Sequence, residues 1–281
     1  MVTRFTHPSV KALSLPIALA AITIFSGCAT TTMKPDTRSA YDNTQQTLKA
    51  QSVNIISDGC LIRVEGGKND IMYQRSDLAS QALAQTVKTR LTEKGVKINK
   101  VSSPFVCGSL TKDELTKMDI LVTHDAKDQL NTTYPLLSST NDFDSAVNQA
   151  YLNLHSAIRR TNKVVSDNPS AYKDLGLDIT SLNTIKKSEG TNKVFLVTAS
   201  GSQPSMGTRM ATGALTVAVA FAGGSTGYIA QKGQYYSIYL INLETNQVEW
   251  VKAGEIKANL FKMPVDSSYT VPKMFAPLYA E

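Results

Sequence analysis

Apolar and polar positions along the chain change period several times, and each change marks an element. Val53, Ile55 and Ile56, then Leu61, Ile62 and Val64, sit on either side of Asp58-Gly59. They predict two strands with a turn at that pair, closed by the loop Gly66-Gly67-Lys68-Asn69-Asp70. From Ser76 the spacing becomes helical. Leu83, Val87 and Leu91 stack on one face, Ser76 suits an N-cap, and Gly95 follows Lys94 where a C-cap glycine belongs. Val96, Ile98 and Val101 then lie among Lys97, Asn99 and Lys100, the pattern of a half-buried strand. Strand, helix and strand in that order imply parallel pairing of the two strands.

Farther on, Thr111 to Lys117 reads as a short helical turn, and Asp119 to Thr123 as a buried strand around Ile120-Leu121-Val122. Phe143, Val147, Tyr151, Leu154 and Ile158 define a long amphipathic helix. Asn141 or Asp142 can cap it, and Arg159, Arg160 and Lys163 suit the negative end of its dipole. Ser166 to Gly190, with Pro169 and Gly176, reads as a connector. Val194-Phe195-Leu196-Val197 predicts a central strand covered on both faces, over Lys193 to Ala199. The clearest hairpin is Tyr235 to Leu243 and Val248 to Ile256, joined by Glu244-Thr245-Asn246-Gln247. The expected fold class is α/β, a mixed β-sheet with packed helices that opens strand-helix-strand and closes on a C-terminal β-hairpin.

Residues 203–232 stay open to two readings. Ala211, Ala214, Ala218 and Ala222 suit a helix packed closely on the sheet, whereas Val217, Val219 and Phe221 alternate as a strand would, and could form a membrane-inserted hairpin. The packed form is favoured, because Thr226 to Gly233 offers no second lipid-facing strand.

The front of the chain decides its address. Leu13 to Cys28 is an apolar run behind Arg4 and Lys11, ending in Phe25-Ser26-Gly27-Cys28. At ~1.5 Å per residue, Leu13 to Gly27 spans about 22 Å, short of the ~20 residues a membrane-crossing helix needs. Basic head, apolar core and small residues before a cysteine are the parts of a secretory signal, and the last four residues resemble the lipobox of bacterial lipoproteins, with Phe25 in the place usually held by leucine. Cleavage after residue 27 would leave Cys28 acylated and remove Arg4 and Lys11 but no acid, lowering the net charge of +6 by two. That modest surplus, in a periplasmic protein, argues against nucleic acid as a partner. Ala29 stands where enteric lipoproteins retained in the inner membrane carry aspartate, so the resemblance implies an outer-membrane anchor facing the periplasm.

With Cys28 lipidated, Cys60 and Cys107 remain, and two leftover thiols in an oxidising compartment are expected to pair. Residues 28–51 are polar and read as the lipidated cysteine and a flexible tether, with a short helix near Tyr41 to Ala50. The periplasmic body is expected over residues 52–257, and Pro264, Pro272 and Pro277 mark residues 258–281 as an extended tail over the body.

No motif marks a catalytic, metal or cofactor site. His124-Asp125 has no nucleophile assigned to it, and His155 has no second ligand one helical turn away. Ser205 lacks the preceding glycine of a nucleophile elbow, since Gln203 stands there, and Gly223-Gly224-Ser225-Thr226-Gly227 lacks the lysine of a phosphate loop.

Leu240-Ile241-Asn242-Leu243-Glu244-Thr245, a turn, and Val248-Glu249-Trp250 resemble the late hairpin of periplasmic lipoproteins in the CsgG-like group, which includes the LpoB-like activators of penicillin-binding proteins. Close similarity is confined to about residues 238–252; order and pattern extend it over most of 52–257. The resemblance implies a non-enzymatic interaction or regulatory factor for an envelope machine such as peptidoglycan synthesis. Its partners would be the membrane, through the lipid, and a periplasmic or envelope protein. The alternatives are a subunit of a CsgG-like secretion channel and a structural envelope lipoprotein.

Overall fold

Ser52–Glu65 forms one unbroken strand, β1, around which the sheet is built. The computed structural model describes residues 35–65, 68–122, 132–161, 173–204, 233–256 and 273–280. Two strands and a turn at Asp58-Gly59 were expected here. The chain instead runs straight through, because Gly59 lies under a helix, α2 (Tyr73–Glu93), that crosses too closely to admit a side chain.

One edge of β1 serves two strands. Its first half pairs in parallel with β3 (Lys97–Val106), as the strand-helix-strand order implied, and its second half pairs antiparallel with β2 (Lys68–Met72). Lys68-Asn69-Asp70 is therefore strand rather than loop, and Arg63 reaches across the ladder to Asp70 at 2.9 Å. The other edge of β1 takes β6 (Lys193–Pro204) in parallel. The sheet continues antiparallel through β7 (Gly233–Asn242) and β8 (Gln247–Glu255) to the two residues of β5 (Lys173–Asp174). At the far side, β4 (Asp119–Leu121) lies parallel to β2. The described residues thus hold one mixed sheet of eight strands.

Alternation along the paired strands sends Ile56, Val194, Leu196, Tyr239 and Ile241 to one face, where α4 (Ser145–Thr161) and α5 (Ile179–Glu189) cover them with Tyr151, Leu154, Ile158, Leu182 and Ile185. Ile55, Phe195, Leu240 and Trp250 point to the opposite face, on which α2 lies. Each such fully buried side chain contributes ~1.5–3 kcal/mol, which is why the run at 194–197 is apolar on both faces.

Several ends differ from expectation for local reasons. Helix α2 starts at Tyr73, so Ser76 lies inside it and its hydroxyl accepts from the Leu61 N–H at 2.8 Å instead of capping. Asp144, not Asn141 or Asp142, caps α4 by accepting from the Val147 N–H at 2.8 Å. The stretch read as a connector contains α5, closed by the Asp178 side chain on the Ser181 N–H and by Gly190 at φ 64°. The short α3 (Lys112–Leu115) carries a capping box between Thr111 and Glu114.

Both ends of the body are more ordered than their polarity suggested. The tether expected over 28–51 gives way at Pro35 to α1 (Pro35–Ala50), whose Tyr41, Thr44 and Leu48 form one buried stripe. At the other end, Lys273–Ala280 is not an extended tail but a run of turns that buries Met274, Phe275, Leu278 and Tyr279. Cys28, His124 and most of residues 203–232 lie outside the described residues, as do 257–272.

Candidate functional site

Cys60 comes from β1 and Cys107 stands immediately after β3, at φ 54°, where the chain turns out of the sheet. The two are joined by a disulfide. The N–H of Cys107 also donates to the Gly59 carbonyl at 2.9 Å, so strand register and covalent bond fix the same point.

Asp58 points to the α4 side of the sheet and accepts from the Gly108 N–H at 3.2 Å. Its burial raises the carboxyl to about 7, against the pull of backbone N–H groups at Gly108, Gly59, Ser109 and Cys107. His155, on α4, closes over the same loop. Its ring stands edge-on to Phe105 with centroids 6.0 Å apart, and burial pushes it down to about 4. Gly108 has no room for a side chain here: a Cβ would stand 2.9 Å from Phe105 and 3.2 Å from His155 Nε2. One turn along α4, Arg159 donates to both carboxylate oxygens of Glu114, at 2.6 and 2.7 Å, and to the Ser109 carbonyl at 3.1 Å. The hydrogen bond from that guanidinium holds Glu114 down to about 2.

Asp58 Oδ2, Ser109 Oγ and His155 Nε2 each lack a hydrogen-bond partner among the described residues. They flank one loop, yet no hydrogen bond joins any two of them. The contact between nucleophile and base that acyl-transfer chemistry requires is missing from this arrangement. What the geometry does is clamp residues 107–114 from three sides: covalently to β1, by hydrogen bonding to Asp58, and by the ion pair with α4. No group of three or more metal-ligating side chains occurs among the described residues, and no helix among them is long and apolar enough to cross a membrane.

A second constellation lies on the other face of the sheet. Phe275 stacks on Trp250 at 5.8 Å and meets Phe195 and Tyr279 edge-on at 6.3 and 6.2 Å. Lys94 Nζ lies 5.8 Å from the centre of the Tyr279 ring, and Gln45 of α1 donates to the Leu278 carbonyl at 2.6 Å. The two ends of the described chain therefore meet on one surface. Residue spacing carried a trace of this, since Phe275, Leu278 and Tyr279 fall at i, i+3 and i+4. Nothing comparable marked Asp58, which hides in what reads as a turn dipeptide.

No family model matches the chain, and no curated protein matches it. Among solved structures, the LpoB C-terminal domain from Salmonella enterica is similar at 9% identity and a TM-score of 0.24, covering 79% of this chain and 96% of that one. The LpoB C-terminal domain from Escherichia coli is similar at 10% identity and the same TM-score of 0.24, covering 79% of this chain and 99% of that one.

Proposed function

We propose that the chain is an outer-membrane-anchored periplasmic lipoprotein that acts by contact, as a regulatory or interaction factor for an envelope machine, with peptidoglycan synthesis the process the hairpin resemblance points to. The observation that carries this reading is a bonded cysteine pair, Cys60–Cys107, in a body that follows Phe25-Ser26-Gly27-Cys28, a stretch resembling a lipobox. Disulfides persist in oxidising compartments, and an acylated cysteine needs export. Two or three acyl chains, at ~0.8 kcal/mol per buried methylene, make the attachment effectively permanent. The buried ionisable groups around the bridge act as a clamp rather than as a reactive centre, which directs attention to the surface.

Photocrosslinking in cells tests the partner. Leu78, Val101 and Ile179 are exposed large apolar residues on α2, β3 and α5. A photoreactive residue at these positions should trap a periplasmic domain of a cell-wall synthase; adducts confined to other copies of this chain would reject the reading.

A second reading, a subunit of a secretion channel, is favoured by one pairing. Ser202 and Gly233 are partners on β6 and β7, which sets the two ends of the segment between them side by side. A ring-sized particle in mild detergent would support it, and a monomer would reject it.

A further inference from the structure

We infer that the C-terminal segment Lys273–Ala280 is a latch that holds α1 on the body, and that its release lengthens the reach of the body from its anchor. Helix α1 has little of its own to hold it. Its buried side chains are Tyr41, Thr44 and Leu48, a single stripe, and the other described positions are partly or fully exposed. A helix of 16 residues is marginal in isolation, so α1 persists only while that stripe is covered. The C-terminal segment bonds to α1 beside that stripe. Gln45 Nε2 donates to the Leu278 carbonyl at 2.6 Å. Tyr279, next in sequence, is buried and stands over Lys94 at the C-terminal end of α2. The segment is fastened in turn by Phe275, which is fully buried against Trp250 and Phe195. Sheet, C-terminal segment and α1 thus form a series in which the middle member locks the outer one.

Reach follows from chain geometry. With α1 docked, residues 29–34 separate Cys28 from the body, and at ~3.3–3.6 Å per residue they span at most about 20 Å. With α1 released, residues 29–50 do so, and the limit rises to about 75 Å. That consequence rests on the anchoring at Cys28 proposed above; the latch itself does not.

Hydrogen exchange on the whole chain, purified in mild detergent, separates the two. Deleting residues 273–281 should accelerate exchange of the α1 amides about tenfold or more while β1, β6 and β7 keep their protection. Should the deletion loosen the sheet as well, Tyr279→Ala decides, because it trims the latch and leaves Phe275 in place. Faster exchange confined to α1 in that variant supports the latch. Unchanged α1 protection, or loss of protection in α1 only in step with β1 and β7, overturns it. Neither outcome depends on whether Cys28 is acylated, which membrane fractionation reads on its own.

Discussion

Gly59, in the middle of β1, lies directly under the backbone of Ser76 on α2: a Cβ at position 59 would stand 1.9 Å from the Ser76 carbonyl oxygen and 3.1 Å from the Ser80 Cβ. The Ser76 hydroxyl meanwhile receives the Leu61 N–H at 2.8 Å, so strand and helix are held together by that bond across the gap the glycine leaves. Gly59→Ala must push α2 off the sheet. A loss of about 3 kcal/mol or more is expected, at the upper end of overpacking changes. A urea-denaturation midpoint checks it, with Ser76→Ala as a milder comparison at about 1–2 kcal/mol for the unmade buried bond.

The disulfide spans 47 residues of sequence and ties β1 to the loop after β3. In the chain-entropy model, closing a loop of that size contributes about 4 kcal/mol. The double variant Cys60→Ser/Cys107→Ser should lose about that much in chemical denaturation, and wild-type protein unfolded under reducing conditions should lose the same. Equal midpoints with and without reductant would show that the bond contributes nothing.

Asp58 and His155 pull the pH dependence of stability in opposite directions. Asp58 is raised from 3.8 to about 7, so the native state holds a proton the unfolded chain has lost; its contribution is complete below pH 3.8 and fades as pH rises through 7. His155 is lowered from 6.5 to about 4; its contribution is complete above pH 6.5 and fades as pH falls through 4. Each has a slope of about 1.4 kcal/mol per pH unit, so between pH 4 and 6.5 they cancel. Their combined contribution to wild-type stability should be nearly flat in that window. Asp58→Asn should make it rise with pH there, and His155→Gln should make it fall. Thermal melts from pH 4 to 7.5 distinguish the three curves.

Strong periodicity was legible in the sequence, and close approach was not. Leu83, Val87 and Leu91 announced α2, Phe143 to Ile158 announced α4, and the hairpin around Glu244 fell within two residues of its observed ends. Asp58-Gly59 misled because the same dipeptide serves a turn or a helix crossing, and which one depends on a helix still to come in the chain. Helix α5 was obscured because Leu182 and Ile185 are too few to set a period, although Asp178 and Gly190 are ordinary cap residues. Helix α1 looked like a tether because it buries one narrow stripe and its bond to the C-terminal segment crosses more than two hundred residues, and the segment around Phe275 looked like a tail because the rings it packs on, Phe195 and Trp250, belong to strands well before it in the chain.

Lys193 and Glu249 form a buried ion pair across the sheet at 2.5 Å, with Asn242 donating to the same carboxylate at 2.8 Å. Removing one partner strands a buried charge, so Lys193→Met should cost about 3–5 kcal/mol. Lys193→Met/Glu249→Leu should recover most of that, because two apolar side chains of similar volume replace the pair. A double-mutant cycle in chemical denaturation measures the difference.

The anchor is the feature on which the proposed role depends, and Cys28→Ser tests it most directly. Fractionation of cells grown with labelled palmitate should place the wild-type chain in the outer-membrane fraction carrying label. The Cys28→Ser chain should be released unlabelled, with the Cys60–Cys107 bond intact on non-reducing gels. A Cys28→Ser chain that stayed in the membrane fraction would contradict lipid anchoring at that residue.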